Sequence, residues 1–176
     1  MSSLEDVIRI KTERLELRPL PARAAAALPA DRETAARTLG ATLEADWPHA
    51  ELLDVLPLQA DALPSAEPFG IWVMIERETE TVVGDIGFLG PPDADGSVEI
   101  GYSVVPDRRR RGYATEAAQS LVGWVLQQPG VRRVVAGCEP GNESSIRMLE
   151  RLSFVRIDDG RRDQLRWQFA GGAGEA

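Results

Sequence analysis

The order of predicted elements between residues 71 and 138 constrains the fold more than any other feature of this chain. Three apolar, β-branched runs separated by short turn-rich segments predict an antiparallel meander of the strands Ile71–Glu76, Thr81–Leu89 and Ser97–Val105. A predicted helix, Gly112–Gln128, then leads to a fourth strand, Val131–Cys138. Such a strand–helix–strand connection joins parallel strands with a right-handed crossover. The sequence therefore predicts an α/β (α+β) fold: a mixed, mostly antiparallel sheet with helices on both faces and a central βαβ crossover.

The flanking segments extend this pattern on both sides. Before the meander we expect a strand in the second half of residues 8–17, a loop at residues 57–70, and helices at Ala22–Leu28, Asp31–Leu39 and Pro48–Leu56. Asp31 is a candidate N-cap, and Gly40 stands where a helix C-cap glycine belongs. After the crossover we expect the helix Asn142–Leu152 and the short strands Phe154–Ile157 and Gln164–Phe169.

The composition limits the classes of protein to which this chain can belong. The chain has 176 residues, 43% of them hydrophobic, which suits one domain with its own core. A single cysteine and a single histidine exclude an intramolecular disulfide framework and a His/Cys metal cluster, so no metal is expected. The chain lacks a run of about 18 apolar residues, and Glu5 and Asp6 stand where a secretory signal would be basic. We therefore expect a cytoplasmic protein that contacts no membrane.

A loop rich in arginine joins the third meander strand to the next helix. Residues 104–116 read Val-Val-Pro-Asp-Arg-Arg-Arg-Arg-Gly-Tyr-Ala-Thr-Glu. Unpaired N–H groups at a helix start favour an anion, and Gly112 and Ala114 let a bulky phosphate approach the backbone. The loop is therefore predicted to cradle a diphosphate, although it is neither a Walker P-loop nor a GxGxxG turn. The alternatives are a solvated charge run or a nucleic-acid patch, and the net charge of −8 argues against nucleic acid.

Four segments in the predicted order resemble the GNAT superfamily of N-acetyltransferases. Arg109-x-x-Gly112-x-Ala114 is similar to the family's Q/R-x-x-G-x-G/A signature, which there holds the pyrophosphate of acetyl-CoA. The other three resemble the RimJ/RimL-like branch: its opening strand at residues 12–18, its E-I-G-Y strand at 99–102, and its N-x-x-S…L-G-F segment at 142–154. The resemblance covers roughly residues 12–169, and residues 22–70 match only in helical character.

The resemblance implies a GNAT-like fold in which residues 1–170 form a single acyl-CoA N-acyltransferase domain, followed by a disordered tail at residues 171–176. It implies direct transfer of an acetyl group from acetyl-CoA to a primary amine in a ternary complex, with no metal. The acceptor would be a small-molecule or peptide amine, and the family includes homodimers. The cofactor-binding positions implied by the match are Val104, Val105, Arg109, Arg110, Arg111, Gly112, Tyr113, Ala114, Thr115 and Asn142.

Two residues are candidates for the chemistry. Glu99 shares a strand face with the small residues Gly101 and Ser103, and its carboxylate could take the amine proton directly or through a water. The alternative for Glu99 is an exposed glutamate that pairs with an arginine. Ser145 is a candidate donor to the leaving thiolate, although a serine hydroxyl is a poor acid and could instead bond back to the preceding turn. Leu149 occupies the position of the tyrosine that protonates the thiolate in many family members, so the acid is unassigned.

Further alternatives stay open at the level of sequence. Asn142 is either a helix N-cap or a cofactor ligand, or both. Trp47 and His49 lie in the segment with which the family walls its acceptor pocket, but such a tryptophan is more often packed in a core. The missing tyrosine also leaves open a non-catalytic acyl-CoA-binding or regulatory module of the same fold.

Overall fold

A computed structural model of the protein describes residues 8–57 and 68–171, which form nine strands and five helices. The strands are β1 Ile10–Lys11, β2 Leu15–Pro19, β3 Thr42–Leu43, β4 Ile71–Glu76, β5 Thr81–Phe88, β6 Ser97–Val104, β7 Arg133–Cys138, β8 Phe154–Ile157 and β9 Leu165–Phe169. The helices are α1 Ala22–Ala27, α2 Arg32–Leu39, α3 at residues 50–57, α4 Tyr113–Val125 and α5 Glu143–Arg151.

The strands form one mixed sheet. Eight of them lie side by side in the order β1-β2-β4-β5-β6-β7-β9-β8, and β3 pairs with β5. β6 and β7 run parallel and are connected through α4, and β3 also runs parallel to β5. The remaining pairs are antiparallel. The predicted meander, the central βαβ crossover and the mostly antiparallel sheet are confirmed.

Each face of the sheet carries its own apolar core. On β4, Trp72 and Met74 point into the larger core, beneath α4 and α5, whereas Val73 and Ile75 point into the smaller core, beneath α1, α2 and α3. Successive side chains of a strand alternate between the two faces, so a strand covered on both sides is apolar throughout. This explains why the central strands are uninterrupted apolar runs in the sequence.

The ends of α2 follow the predicted signals. Asp31 precedes the helix, and its Oδ1 accepts the Thr34 N–H at 3.0 Å, which satisfies one of the unpaired donors of the first turn. Gly40 ends the helix with φ of 65°, the left-handed conformation that glycine adopts most readily. Both assignments are confirmed.

Some local features differ from the predictions, and two predicted segments lie partly outside the described residues. The opening strand is a hairpin of β1 and β2, because the chain turns at Thr12, whose N–H donates to the Leu15 carbonyl at 2.9 Å. β3 was not predicted, since two residues are too short to show a period. α3 begins at residue 50 rather than at Pro48. Residues 58–67 of the predicted loop and 172–176 of the predicted tail lie outside the described residues. Among the helices of the described ranges, none is both long and apolar enough to span a bilayer.

Candidate active site

β6 and β7 separate toward their carboxyl ends and leave a wedge between residues 101–104 and residues 137–138. Their parallel pairing ends at Ile100 and Ala136, and both strands continue beyond it. The Glu99 carbonyl and the Val105 N–H bond to the β5 side. Backbone groups alternate in direction along a strand, so those of Tyr102 and Val104 face the wedge. Sheets of this kind bind ligands at the carboxyl ends of their parallel strands.

The arginine-rich loop runs from the end of β6 to the start of α4. Arg110 and Gly112 have positive φ angles of 62° and 79°. The Gly112 carbonyl accepts the Glu116 N–H at 3.0 Å, which begins the helical hydrogen bonds. The N–H groups of residues 113–115 precede this bond and have no acceptor within the helix. They leave a helix start with unpaired N–H groups at the mouth of the wedge, which is where the sequence predicts that an anion binds.

Arg14 fastens this loop to the helix, a role that was not predicted. Its Nε donates to Glu116 Oε2 at 2.8 Å, and its Nη1 donates to the Arg111 carbonyl at 2.7 Å. Its guanidinium also stacks on the Tyr113 ring, 4.5 Å from the centroid. Burial acts to raise the pKa of Glu116, but its hydrogen bonds to Thr12 and Arg14 hold that pKa below the ordinary value. Glu116 therefore stays charged and keeps Arg14 in place.

The side chains of Arg108 and Tyr113 both contact Glu76. Arg108 pairs with Glu44 at 2.7 Å and with Glu76 at 3.1 Å. The Tyr113 hydroxyl donates to the same Glu76, and the Tyr113 side chain is buried. The predicted contact of Tyr113 with the cofactor stays a prediction, and it would come through the backbone N–H, because the side chain is buried against Glu76.

At the end of β6, the backbone groups of Val104 and Val105 point to opposite sides of the strand. The Val105 N–H donates to the Val83 carbonyl at 3.0 Å, and the Val105 carbonyl accepts the Arg108 N–H at 3.0 Å. Both backbone groups of Val105 therefore already have partners within the protein, and its contact with a cofactor stays a prediction. Val104 faces the wedge, and its carbonyl accepts Nε of Arg109 at 2.9 Å. Of the other predicted positions, Arg110 and Arg111 are exposed, and Ala114 and Thr115 are half-buried in the first turn of α4.

The first turn of α5 faces the wedge from the other side. Asn142 Oδ1 accepts the Ser145 N–H at 3.2 Å, so Asn142 is the N-cap of α5. Ser145 Oγ lies 2.6 Å from Tyr102 Oη, and this hydrogen bond joins α5 to β6. The Ser145 hydroxyl thus bonds to Tyr102 rather than back to the preceding turn, which was the alternative that the sequence left open. Burial raises the pKa of Tyr102, against the effect of the hydrogen bond to Ser145.

Glu99 lies on the opposite face of β6 and belongs to an ion-pair network. Arg166 donates to both of its oxygens, from Nη1 to Oε1 at 2.7 Å and from Nη2 to Oε2 at 3.1 Å. Asp159 accepts Nε of Arg166 at 2.8 Å, and Arg161 lies 3.8 Å from Glu99. Glu99 and Asp159 raise the pKa of Arg166 above its ordinary value, with the Glu99 hydrogen bond as the largest cause. The structure thus shows the arginine pairing that sequence reasoning gave as the alternative to a catalytic Glu99.

The same face carries open space next to a histidine. A Cβ built on Gly101 would meet no atom within 4 Å, so this part of β6 is free on the side of Glu99. Two residues further along β6, Ser103 pairs with Asp85 on β5. Trp47 donates from Nε1 to Asp85 Oδ2 at 2.9 Å, and His49 Nε2 lies 3.8 Å from the same oxygen. Trp47 is buried, as the core alternative held, whereas the His49 side chain is 38% exposed.

Within residues 8–57 and 68–171, no group of three or more His, Cys, Asp or Glu side chains is arranged to hold a metal ion. The groups described on the two sides of β6 are backbone donors, hydroxyls, ion-paired carboxylates and the His49 imidazole.

Comparison with known proteins agrees with this geometry. Residues 14–155 match the family described as Acetyltransferase (GNAT) domain. The chain is also similar to the uncharacterized N-acetyltransferase YjdG of Bacillus subtilis (strain 168), with 32% identity over 152 residues that cover 85% of this chain and 90% of YjdG. This chain belongs to the GNAT family of acetyltransferases.

Solved structures of low sequence identity share the fold. The ribosomal L7/L12 alpha-N-protein acetyltransferase RimL in its apo form superposes with a TM-score of 0.65 at 16% identity, covering 96% of this chain and 97% of RimL. The microcin C7 self-immunity acetyltransferase MccE, solved with acetyl-CoA and AMP, gives a TM-score of 0.62 at 15% identity, covering 89% of this chain and 92% of MccE. At these identities the similarity concerns the fold alone.

Proposed function

We propose that this chain transfers an acetyl group from acetyl-CoA to a primary amine by direct attack within a ternary complex. The observation that carries the proposal is the wedge between β6 and β7, which opens beside a helix start with free N–H groups. A strand edge suits an extended chain that carries amides, and a helix start suits a diphosphate. These two features fit the arm and the diphosphate of a coenzyme A thioester, and family membership supports the same donor.

The residues around the wedge have separate roles in this proposal. The N–H groups at the start of α4 bind the diphosphate, and the exposed Arg110 and Arg111 contribute charge. The Val104 N–H faces the wedge, and in this proposal it polarises the thioester carbonyl. Asn142 uses its side-chain oxygen as a cap, so a contact with the donor would come from its Nδ2.

The acceptor amine is proposed to approach over Gly101, on the face that carries Glu99. A free lysine amine has a pKa of about 10.4 and an α-amine a pKa of about 8, so the ammonium must lose a proton before it attacks. Glu99 remains our candidate base. A carboxylate has about four lone-pair sites, and Arg166 occupies two of them, so a water could be held at the others. Asp159 would keep Arg166 paired in a Glu99→Gln variant.

The assignment of Glu99 is tested by the Glu99→Gln variant. Removing a general base lowers turnover by roughly 10²-fold or more, while binding of acetyl-CoA on the other side of β6 should be unchanged. A variant with wild-type kcat across the pH range would remove Glu99 from the mechanism and leave it as the partner of Arg166. The assignment to the RimJ/RimL-like branch is likewise a proposal, supported by the three segments that resemble it and by the fold shared with RimL.

The donor is tested by thermal unfolding in the presence of acetyl-CoA, CoA and ATP. A ligand at about 100 times its dissociation constant adds about 2.7 kcal/mol to the free energy of unfolding. Because 1 kcal/mol shifts Tm by roughly 2–4 °C in a chain of this size, acetyl-CoA and CoA should each raise Tm by several degrees. ATP should raise it less, since it has phosphates but no arm for the wedge. No shift at millimolar acetyl-CoA would overturn the proposal.

A further inference from the structure

The leaving thiolate needs a proton source that the sequence did not supply. Breaking the thioester leaves an electron pair on the sulfur, and a thiol has a pKa of about 8.5, so the sulfur takes up a proton at neutral pH. The tyrosine common in the family is replaced by the buried Leu149. Ser145 lies one helical turn before Leu149 on the same face of α5. A serine hydroxyl alone is too weak an acid for this task.

The structure supplies Ser145 with a second hydroxyl. Tyr102 Oη lies 2.6 Å from Ser145 Oγ, within the range for a strong O–H···O hydrogen bond. Tyr102 is two residues beyond Ile100, the last residue of β6 that pairs with β7, so its side chain extends from the strand where the wedge opens. It reaches the first turn of α5, next to the end of β7. The strand and the helix that bound the wedge thus meet at one pair of hydroxyls.

We propose that Tyr102 and Ser145 form a proton relay to the departing thiolate, with Tyr102 as the proton source. As the C–S bond breaks, the Ser145 hydroxyl gives its proton to the sulfur and takes the proton of the Tyr102 hydroxyl. Tyr102 then recovers a proton from solvent, which also receives the proton released by the amine. Atoms and charge balance without a further reactant. The inference rests on the proposed acetyl transfer and names the acid that the transfer requires.

Burial keeps Tyr102 protonated in the resting enzyme, and the hydrogen bond to Ser145 provides the path for that proton. Tyr102 is half-buried against the larger core, and burial raises its pKa above the ordinary value, so it carries its proton throughout the neutral range. A phenol is a stronger acid than an alcohol, so Ser145 backed by Tyr102 can donate more readily than Ser145 alone. Cys138, on β7, is the other titratable side chain that acts on Tyr102, and it raises the same pKa.

The alternative is a purely structural role, in which the hydrogen bond between the two hydroxyls only holds β6 and α5 together. A hydrogen bond of that kind contributes about 1 kcal/mol to stability and nothing specific to turnover. Thr38→Val is a matched control, because it removes a half-buried hydroxyl that donates to the Thr34 carbonyl at 2.8 Å on α2, a helix that packs in the other core. Each variant is first unfolded thermally to show that it remains folded at the assay temperature.

The experiment measures kcat and KM against pH for wild type, Tyr102→Phe, Ser145→Ala and the double variant. We expect each single variant to lose roughly 10²-fold in kcat with KM for acetyl-CoA within about twofold. The double variant should lose no more than either single one, because the two groups act as a unit. The wild-type kcat should fall at alkaline pH as Tyr102 ionises. This alkaline limb of the pH profile should be absent from Tyr102→Phe.

Several results would overturn the relay. Wild-type kcat in Tyr102→Phe, losses that multiply in the double variant, or an alkaline limb that survives in Tyr102→Phe would each show that the pair is structural. Cys138→Ala should keep the alkaline limb, and loss of the limb there would assign it to the thiol instead. If wild type itself releases no CoA with any amine, the proposed function fails, and that result is distinct from failure of the relay alone.

Discussion

Replacing Gly112 by glutamate should abolish donor binding by a route that can be separated from its effect on stability. Gly112 has φ of 79°, and a side chain there would meet only Arg14 Nη2, at 3.4 Å. A residue other than glycine in this conformation costs roughly 1–2 kcal/mol. Gly130 offers a matched control, since it has φ of 81°, no atom within 4 Å of an added Cβ, and a position beyond the far end of α4. Gly130→Glu therefore brings the same strain and the same charge.

The two variants should be equally destabilised but should differ in binding. A cost of 1–2 kcal/mol predicts that each Tm falls by roughly 2–8 °C. A carboxylate about 4 Å from a phosphate repels it by about 1 kcal/mol in a water-like medium and by about 4 kcal/mol near a protein surface. Gly112→Glu should therefore weaken acetyl-CoA by about tenfold or more, whereas Gly130→Glu should bind like wild type. The assay is isothermal titration calorimetry with acetyl-CoA, beside thermal unfolding without ligand.

Equal affinities of the two variants for acetyl-CoA would refute the reasoning. That result would mean that the start of α4 does not hold the diphosphate. The arginine-rich loop would then be a solvated charge run, as the sequence alone also allowed.

Other parts of the site give predictions of the same kind. Arg14→Gln should weaken acetyl-CoA binding and lower Tm by a few degrees, because it breaks the contacts that join the arginine-rich loop to α4. Glu116→Gln should do the same. Unchanged binding in both variants would show that these contacts are not needed for binding. Gly101→Val should raise KM for the amine with donor affinity and Tm unchanged, since the added side chain enters open space; an unchanged KM would place the acceptor elsewhere. The Asp85 carboxylate raises the pKa of His49, so the pair stabilises the fold fully below about pH 6.5 and loses that contribution as pH rises through the higher folded pKa. Wild type should therefore lose more Tm between pH 6 and 8 than His49→Gln, and parallel Tm curves would contradict this.

The fold was predictable because its signals are local. Apolar runs, turn residues and the cap signals Asp31 and Gly40 each act within a few residues, and the βαβ connection has one favoured hand. The arginine-rich loop was predictable for the same reason, since strand, glycine and helix follow one another directly. β3 was not predicted, because a strand of two residues is too short to show an alternating pattern of apolar and polar side chains.

The contacts that shape the site were not predictable, because they join residues far apart in the chain. Arg14 and Glu116 are 102 positions apart, and Glu99 and Arg166 are 67 apart. No periodicity or spacing marks such a pair before the sheet order is known. The distinction between Val104 and Val105 depends on which of them bonds to β5, which the register alone decides. Tyr102 was visible as part of a matched segment, but its partner on α5 lies 43 positions away.

The central claim is that the chain moves an acetyl group directly from acetyl-CoA to an amine. Initial rates of CoA release, measured while acetyl-CoA and an amine are varied together, test it most directly. Direct attack in a ternary complex predicts intersecting double-reciprocal plots, with no acetylated enzyme detected by intact-protein mass spectrometry. Parallel plots with an acetyl-enzyme would contradict direct attack. Binding of acetyl-CoA without CoA release, across small-molecule and peptide amines, would contradict transfer altogether.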